Sequence, residues 1–136
     1  MKKLAVGTDI VCIPEFAAQL AQPGSRFEAV FSPAELRVAA GKGARRAEHL
    51  AGRWAAKESF IKAWSQAIYG RPPVIAQERV IWSEVEIRPD AWGRVDIATA
   101  GNVREQVAAT LGEVETSLSI SHDGDYATAT TILSWG

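Results

Sequence analysis

The residue order predicts an α+β fold: a largely antiparallel sheet packed on one long buried helix, in a single domain over residues 1–136. Three observations carry this. The stretch His49–Trp64 is apolar nearly all round, and a helix of that kind belongs in an interior. Leu4–Val11 and Glu113–Ser121 alternate side chains with the period of a strand. The order of elements, one strand, three helices, two strands, a helix and two strands, groups the late strands for antiparallel pairing.

Taken in order, Leu4–Val11 puts Leu4, Val6, Thr8 and Ile10 on one face, and Ala5, Gly7, Asp9 and Val11 on the other. Pro14 suits the first turn of a short helix through Leu20, which Gln22-Pro23-Gly24-Ser25 breaks. Ser32-Pro33-Ala34-Glu35 has the spacing of a capping box with proline at the first helical position, so a helix is expected to run to Ala40. Gly41-Lys42-Gly43 ends it, and the long helix comes next, expected to continue to Ile68 or Tyr69. Gly70-Arg71-Pro72-Pro73 opens a loop to about Arg79. Val80–Trp82 and Val85–Ile87 read as strand, Asp90–Gly93 as a turn, and Arg94–Ile97 as the returning strand. Asn102–Leu111 has helical spacing and Gly112 closes it. Glu113–Ser121 and Tyr126–Leu133 give the last two strands, joined by a tight turn that would carry His122.

Composition narrows the function. The net charge of −1 gives no electrostatic reason to expect nucleic acid or an anionic membrane as partner. No stretch reaches the length of a membrane span, and the apolar run after Met1-Lys2-Lys3 is interrupted by Asp9, unlike a signal peptide. A single cysteine, Cys12, leaves no internal disulfide and fits the cytoplasm; it reads as a small buried residue.

The long helix carries Arg53, Lys57, Glu58 and Lys62 on its apolar background. On a helical wheel, Leu50, Trp54, Phe60, Ile61 and Trp64 cover a broad arc, leaving Ala51, Ala55, Glu58, Lys62 and Ser65 on a narrow stripe. Glu58 and Lys62 read either as an ordinary i,i+4 pair or as a site, with the small neighbours leaving room for a metal ion or a phosphate. Gly52, costly inside a helix, points to a close approach. Asp9, beside Ala5 and Gly7, joins the candidates on the same ground of space. Arg45 and Arg46 read as solvated surface or as cations for an acidic ligand.

Gly7-Thr8-Asp9-Ile10-Val11, Leu50 to Ala63, and Leu118-Ser119-Ile120-Ser121-His122 ahead of Tyr126-Ala127 together resemble the holo-acyl-carrier-protein synthases, the small class of 4′-phosphopantetheinyl transferases. The resemblance spans nearly the whole chain. It implies a phosphopantetheinyl-transferase fold and transfer of the 4′-phosphopantetheine arm of coenzyme A to a serine of an apo acyl carrier protein. By the same resemblance Mg²⁺ is required, adenosine 3′,5′-bisphosphate is released, and the product serves fatty acid biosynthesis. Carried onto matching positions, Asp9 and Glu58 would hold the metal and Lys62 would be the catalytic cation. Arg53, Lys57 and His122 would bind coenzyme A, with Arg45 and Arg46 as further candidates. Glu58, directly or through a water on the metal, would take the serine proton; the water route is favoured because a ligated carboxylate is a poor base.

The family also implies a homotrimer with one site at each subunit interface, which would relieve the placement of Arg53 and Lys57 on the other side of the helix from Glu58. Two departures stand out. Pro14-Glu15-Phe16-Ala17 lacks the basic residue that commonly docks the carrier, leaving Arg26, Arg37, Arg45 or Arg46 for that task, and Trp64-Ser65-Gln66-Ala67 replaces a glycine-rich turn. The carrier is either a free protein or a domain of a fatty acid synthase. A competing reading is a non-catalytic coenzyme A-binding subunit of a larger synthase. An unrelated Mg²⁺-dependent phosphotransferase is disfavoured by the lack of a P-loop.

Overall fold

The computed structural model describes residues Met1–Gly136. Strand β1 (Lys3–Cys12) leads into α1 (Ile13–Ala21), α2 (Pro33–Ala40) and the long α3 (Arg46–Ala67); β2 (Val85–Pro89), β3 (Val95–Thr99), α4 (Gly101–Leu111), β4 (Val114–Asp123) and β5 (Tyr126–Trp135) complete the chain. The α+β class predicted from the sequence is the one observed. β1, β5 and β4 form one antiparallel sheet with β5 in the centre, and β2–β3 form a separate hairpin.

The sheet packs one face on α3. Ala127, Ala129, Thr131 and Leu133 of β5 are buried under the helix, while Thr130 and Ile132 between them are exposed. Along α3 the core divides into three clusters. Phe16, Phe31, Ala39, Leu50, Ala51 and Ala127 gather near its start. Ala55, Ala56, Ile87 and Ala129 lie at its middle, and Phe60, Ala63, Trp64, Val85, Val103, Val107 and Leu133 at its end. The small residues are therefore packing surface: Ala51 and Ala55 are fully buried, and Trp54 and Ile61 are the half-exposed ones. This corrects the reading of the alanine stripe as an open slot. The space beside Ala5 and Gly7 is likewise filled by α3, since a Cβ at Gly7 would overlap the Ser59 carbonyl and the Ala63 amide.

Helix boundaries obey local chemistry. Ser32 and Glu35 form the predicted capping box, with Glu35 N to Ser32 Oγ at 3.2 Å and Ser32 N to Glu35 Oε1 at 2.7 Å. α3 starts three residues earlier than expected, because a 3₁₀ turn at Gly43–Arg45 runs straight into it, and ends at Ala67 with Ile68 as its cap. Val80–Trp82 is not a strand. A 3₁₀ turn occupies Trp82–Glu84, the Trp82 and Val85 carbonyls accept from Lys57 Nζ at 3.0 and 2.5 Å, and the Glu84 carboxylate accepts from the Asn102 and Val103 amides that open α4. Within Val80–Trp82 the Val80 amide donates to the Gln77 carbonyl, the Ile81 carbonyl accepts from the Glu84 amide and the Trp82 carbonyl is taken by Lys57, so turns and a side chain use groups that a sheet ladder would have needed. The final hairpin turns on Gly124-Asp125, so His122 stands on β4, paired with Ala127, and not in the turn. Cys12 is free and partly buried at the start of α1.

Candidate active site

β1 is an edge strand, and on it Asp9 shares the helix-facing side with Ala5 and Gly7. Because Gly7 admits the backbone of α3, the Asp9 carboxyl reaches Glu58 and Lys62, which stand one helical turn apart. Lys62 Nζ donates to Asp9 Oδ1 at 2.8 Å, with the aspartate side chain 9% and the lysine 56% exposed. Lys62 thus pairs with Asp9 across the strand–helix interface rather than with Glu58 along the helix. This hydrogen bond raises the Lys62 pKa.

Glu58 is left without its own cation. Burial, then the proximity and negative charge of Asp9, push its carboxyl up to about 7, with Lys62 opposing. Asp9 Oδ2 is buried and has no partner within the chain. With both carboxyls ionised, two negative charges would face each other across one lysine; either a proton or a cation has to lie between them. A hard divalent cation suits the second arrangement. Mg²⁺ takes one or two carboxylates and fills its remaining positions with water and substrate phosphate oxygens, and the buried Asp9 oxygen with the Glu58 carboxyl supplies that donor set.

A second charged region lies at the other edge of the sheet. There a Cβ on Gly52 would meet His122 Nε2 at 2.8 Å and Ile120 Cγ2 at 3.0 Å, so the close approach that Gly52 permits is that of β4. His122 Nε2 lies 3.2 Å from the Glu48 carbonyl. Arg53, half-buried and shifted down by that burial, lines a groove of about 450 Å³ with Arg94 and His122, and no carboxylate lines it. A smaller cavity, about 90 Å³, is lined by Lys42, Arg45, Glu48, His49 and His122. His49 Nε2 is buried without a partner. Burial first, then Arg53, Lys42 and His122, lower the His49 pKa to about 4. Cations crowded around a neutral histidine make a surface that accepts anions.

Of the residues expected from the sequence, Asp9, Glu58 and Lys62 come together, and Arg53 and His122 come together elsewhere. Arg45 joins the second group, pairing with Glu48 at 3.3 Å, and Arg46 is engaged by Glu28. Lys57, expected to contact coenzyme A, is not at the surface: its side chain is 0% exposed and pairs with Glu35 at 2.8 Å, so its charge is engaged inside the fold. Sequence reasoning does not bring His49, Lys42 or Arg94 into this group. The i,i+4 spacing of His49 and Arg53 is a readable signal, whereas Lys42 and Arg94 join only through tertiary packing.

Residues 5–131 match the family model described as the 4′-phosphopantetheinyl transferase superfamily. The holo-[acyl-carrier-protein] synthase of Corynebacterium glutamicum (strain R) is 63% identical over 131 residues, covering 96% of this chain and 97% of the relative. Among solved structures, the ACPS–CoA complex of Chronobacterium ammoniagenes superposes with a TM-score of 0.95 at 57% identity, covering 98% of each chain. A holo-(acyl-carrier-protein) synthase of Bacillus anthracis in complex with CoA (3′,5′-ADP) gives 0.70 at 30% identity, covering 97% of this chain and 96% of that one.

Proposed function

The chain belongs to the 4′-phosphopantetheinyl transferase superfamily, among the holo-acyl-carrier-protein synthases, and from that premise we propose how its residues perform the transfer and on what substrates. The observation that carries the reading is the Asp9–Glu58 carboxyl pair with Lys62 fixed on Asp9.

The substrates are coenzyme A and an apo acyl carrier protein, free or as a domain of a fatty acid synthase, in cytoplasmic fatty acid biosynthesis. Asp9 and Glu58 are the residues that would hold Mg²⁺, which when bound would supply neutralisation of the pyrophosphate charge for an in-line displacement. Glu58 accepts the carrier serine proton, directly or, as suits a carboxylate that also ligates a metal, through a water. The serine Oγ forms a bond to the β-phosphorus, the bond from that phosphorus to the bridging oxygen breaks, and adenosine 3′,5′-bisphosphate leaves with the electron pair. Lys62 Nζ stabilises the charge gathering on the leaving phosphate. Arg53 and His122, with Lys42, Arg45 and His49 beside them, take the anionic adenosine end of coenzyme A.

These two groups sit at opposite edges of one sheet, Asp9 on β1 and His122 on β4 with β5 between. A homotrimer brings the β1 edge of one subunit to the β4 edge of the next, a head-to-tail contact that closes into a ring. The outer sheet face supports this assembly: Leu4, Val6, Ile10 and Ile132 are 67, 55, 63 and 42% exposed and form an apolar surface without a partner in the single chain. Mass in solution is expected at three copies, and a fully active monomer would refute the shared site.

The transfer itself is tested by incubating the protein with coenzyme A, Mg²⁺ and apo carrier and weighing the carrier. A gain equal to the phosphopantetheine arm is expected. Tight coenzyme A binding with no gain would favour a non-catalytic binding subunit instead.

A further inference from the structure

Directly after Glu58, α3 turns a buried hydroxyl toward the sheet. Ser59 and Thr131 are both 0% exposed, and their hydroxyl oxygens lie 2.7 Å apart. Ser59 Oγ donates its one proton to the Ala56 carbonyl at 2.8 Å, so Thr131 is the donor to Ser59. Of the side-chain hydrogen bonds between α3 and the three-stranded sheet, this one alone is fully buried. Those of Lys62 to Asp9 and of His122 to the Glu48 carbonyl lie at exposed positions. Thr131 stands opposite Gly7 in the β1–β5 ladder, where a Cβ would overlap the Ser59 carbonyl. Ser59 therefore touches β1 through its backbone and β5 through its side chain.

We infer that the Ser59–Thr131 hydroxyl pair is a positioning lock for Asp9, Glu58 and Lys62. The inference rests on the transferase reading, which assigns those three residues the chemistry. At Gly7 helix and strand meet backbone to backbone, so no side chain of β1 keys the helix at that point. Apolar burial is non-directional; it presses α3 onto the sheet without choosing a register. A hydrogen bond does choose, because it weakens steeply with angle and length, and in a dry interface no water replaces a lost partner. A slide of α3 along β1, or a rotation about its axis, therefore breaks the hydroxyl pair. The same motion carries Glu58, one residue before Ser59, and Lys62, three after it, away from Asp9, which lies two residues beyond Gly7. Misplacement by about 1 Å can cost on the order of 10²-fold in rate, so a small slip is enough to matter. Ser59 and Thr131, being fully buried, touch no substrate and act only through the three residues they hold in place.

Two substitutions at one position separate placement from stability. Thr131→Val keeps the shape and removes the hydroxyl, while Thr131→Ser keeps the hydroxyl and removes a buried methyl, which lowers the denaturation midpoint. In Thr131→Val kcat is expected to fall about tenfold with the KM for coenzyme A within about twofold of the unsubstituted protein, and the Mg²⁺ affinity of the free protein to fall about tenfold. In Thr131→Ser kcat and Mg²⁺ affinity are expected to stay within about twofold despite the lower midpoint. Unchanged kcat and Mg²⁺ affinity in Thr131→Val overturn the proposal. So does a loss that follows the midpoint through both variants, which makes the pair a packing contact only. Ser59→Ala combined with Thr131→Val leaves no hydroxyl unpaired and so protects the fold; it is expected to repeat the Thr131→Val pattern, and normal kcat in it overturns the lock. If the unsubstituted protein transfers no arm, the transferase reading fails first, and Mg²⁺ calorimetry still decides the lock. Weakening confined to the variants without the Thr131 hydroxyl supports it, and binding that is equal in all, or absent from all, overturns it.

Discussion

Lys57 and Glu58 are neighbours on α3, yet they belong to two acid–base clusters with opposite fates. Lys57 Nζ spends its three donors on Glu35 Oε1 at 2.8 Å and the carbonyls of Trp82 and Val85. Glu35 is equally occupied, its oxygens also accepting from the Ser32 and Ile87 amides at 2.7 and 2.8 Å. This cluster binds α2, α3 and the start of β2 together and offers nothing to a ligand. Around Glu58 the same residue types are left incomplete: Lys62 serves Asp9, Asp9 Oδ2 has no partner, and Glu58 is pushed up to about 7. Burial alone therefore does not separate structure from chemistry here. Saturation does.

Exchanging one member of each cluster tests that distinction. Glu58→Gln keeps the shape but removes the proposed proton acceptor and metal-ligating charge, so kcat is expected to fall about 10²–10⁴-fold with no fall in the denaturation midpoint. Near-normal turnover in the mass assay would remove Glu58 from the mechanism. Lys57→Met should do the reverse. It leaves Glu35 charged and buried without its cation, an expected loss of about 3–5 kcal/mol in stability, read as a lower midpoint in denaturant. An unchanged midpoint would mean that Glu35 is stabilised by its amide bonds alone, and the two clusters would not differ as argued.

The members of the open cluster are more legible in the sequence than those of the closed one. Asp9, Glu58 and Lys62 stand out as charges among small and apolar neighbours, although the empty space that alanine and glycine suggest is not there. Ala51, Ala55 and Gly7 are small because α3 and the sheet pack closely at those positions. Lys57 is unreadable as a core residue, since its partner Glu35 is already assigned locally as the acid of a capping box. The strand expected at Val80–Trp82 fails for a related reason: the Trp82 carbonyl answers to a lysine far away in sequence. Local signals, caps, glycine stops and alternation, place the remaining elements to within a few residues.

The smallest expected effect is also the most direct check on the open cluster, because it reads a proton rather than turnover. Glu58 is raised from an ordinary 4.5 to about 7, so the folded chain holds its proton more tightly than the unfolded chain does. The stabilisation this gives is full below about pH 4.5 and is lost as pH rises through about 7. A divalent cation competes for the same pair and needs it deprotonated. Mg²⁺ affinity of the free protein is therefore expected to fall about tenfold per unit as pH drops below the pKa of Glu58 and to level above it. At pH 8, Mg²⁺ at a hundred times its Kd should stabilise the fold by about 2.7 kcal/mol, and less at pH 6. Calorimetry in buffers of different ionisation enthalpy should register proton release at the lower pH only. In Glu58→Gln both the release and the pH dependence should vanish. A Mg²⁺ affinity that ignores pH would mean that Asp9 and Glu58 do not share a proton, and that the incompleteness separating this cluster from the Lys57 pair has another origin.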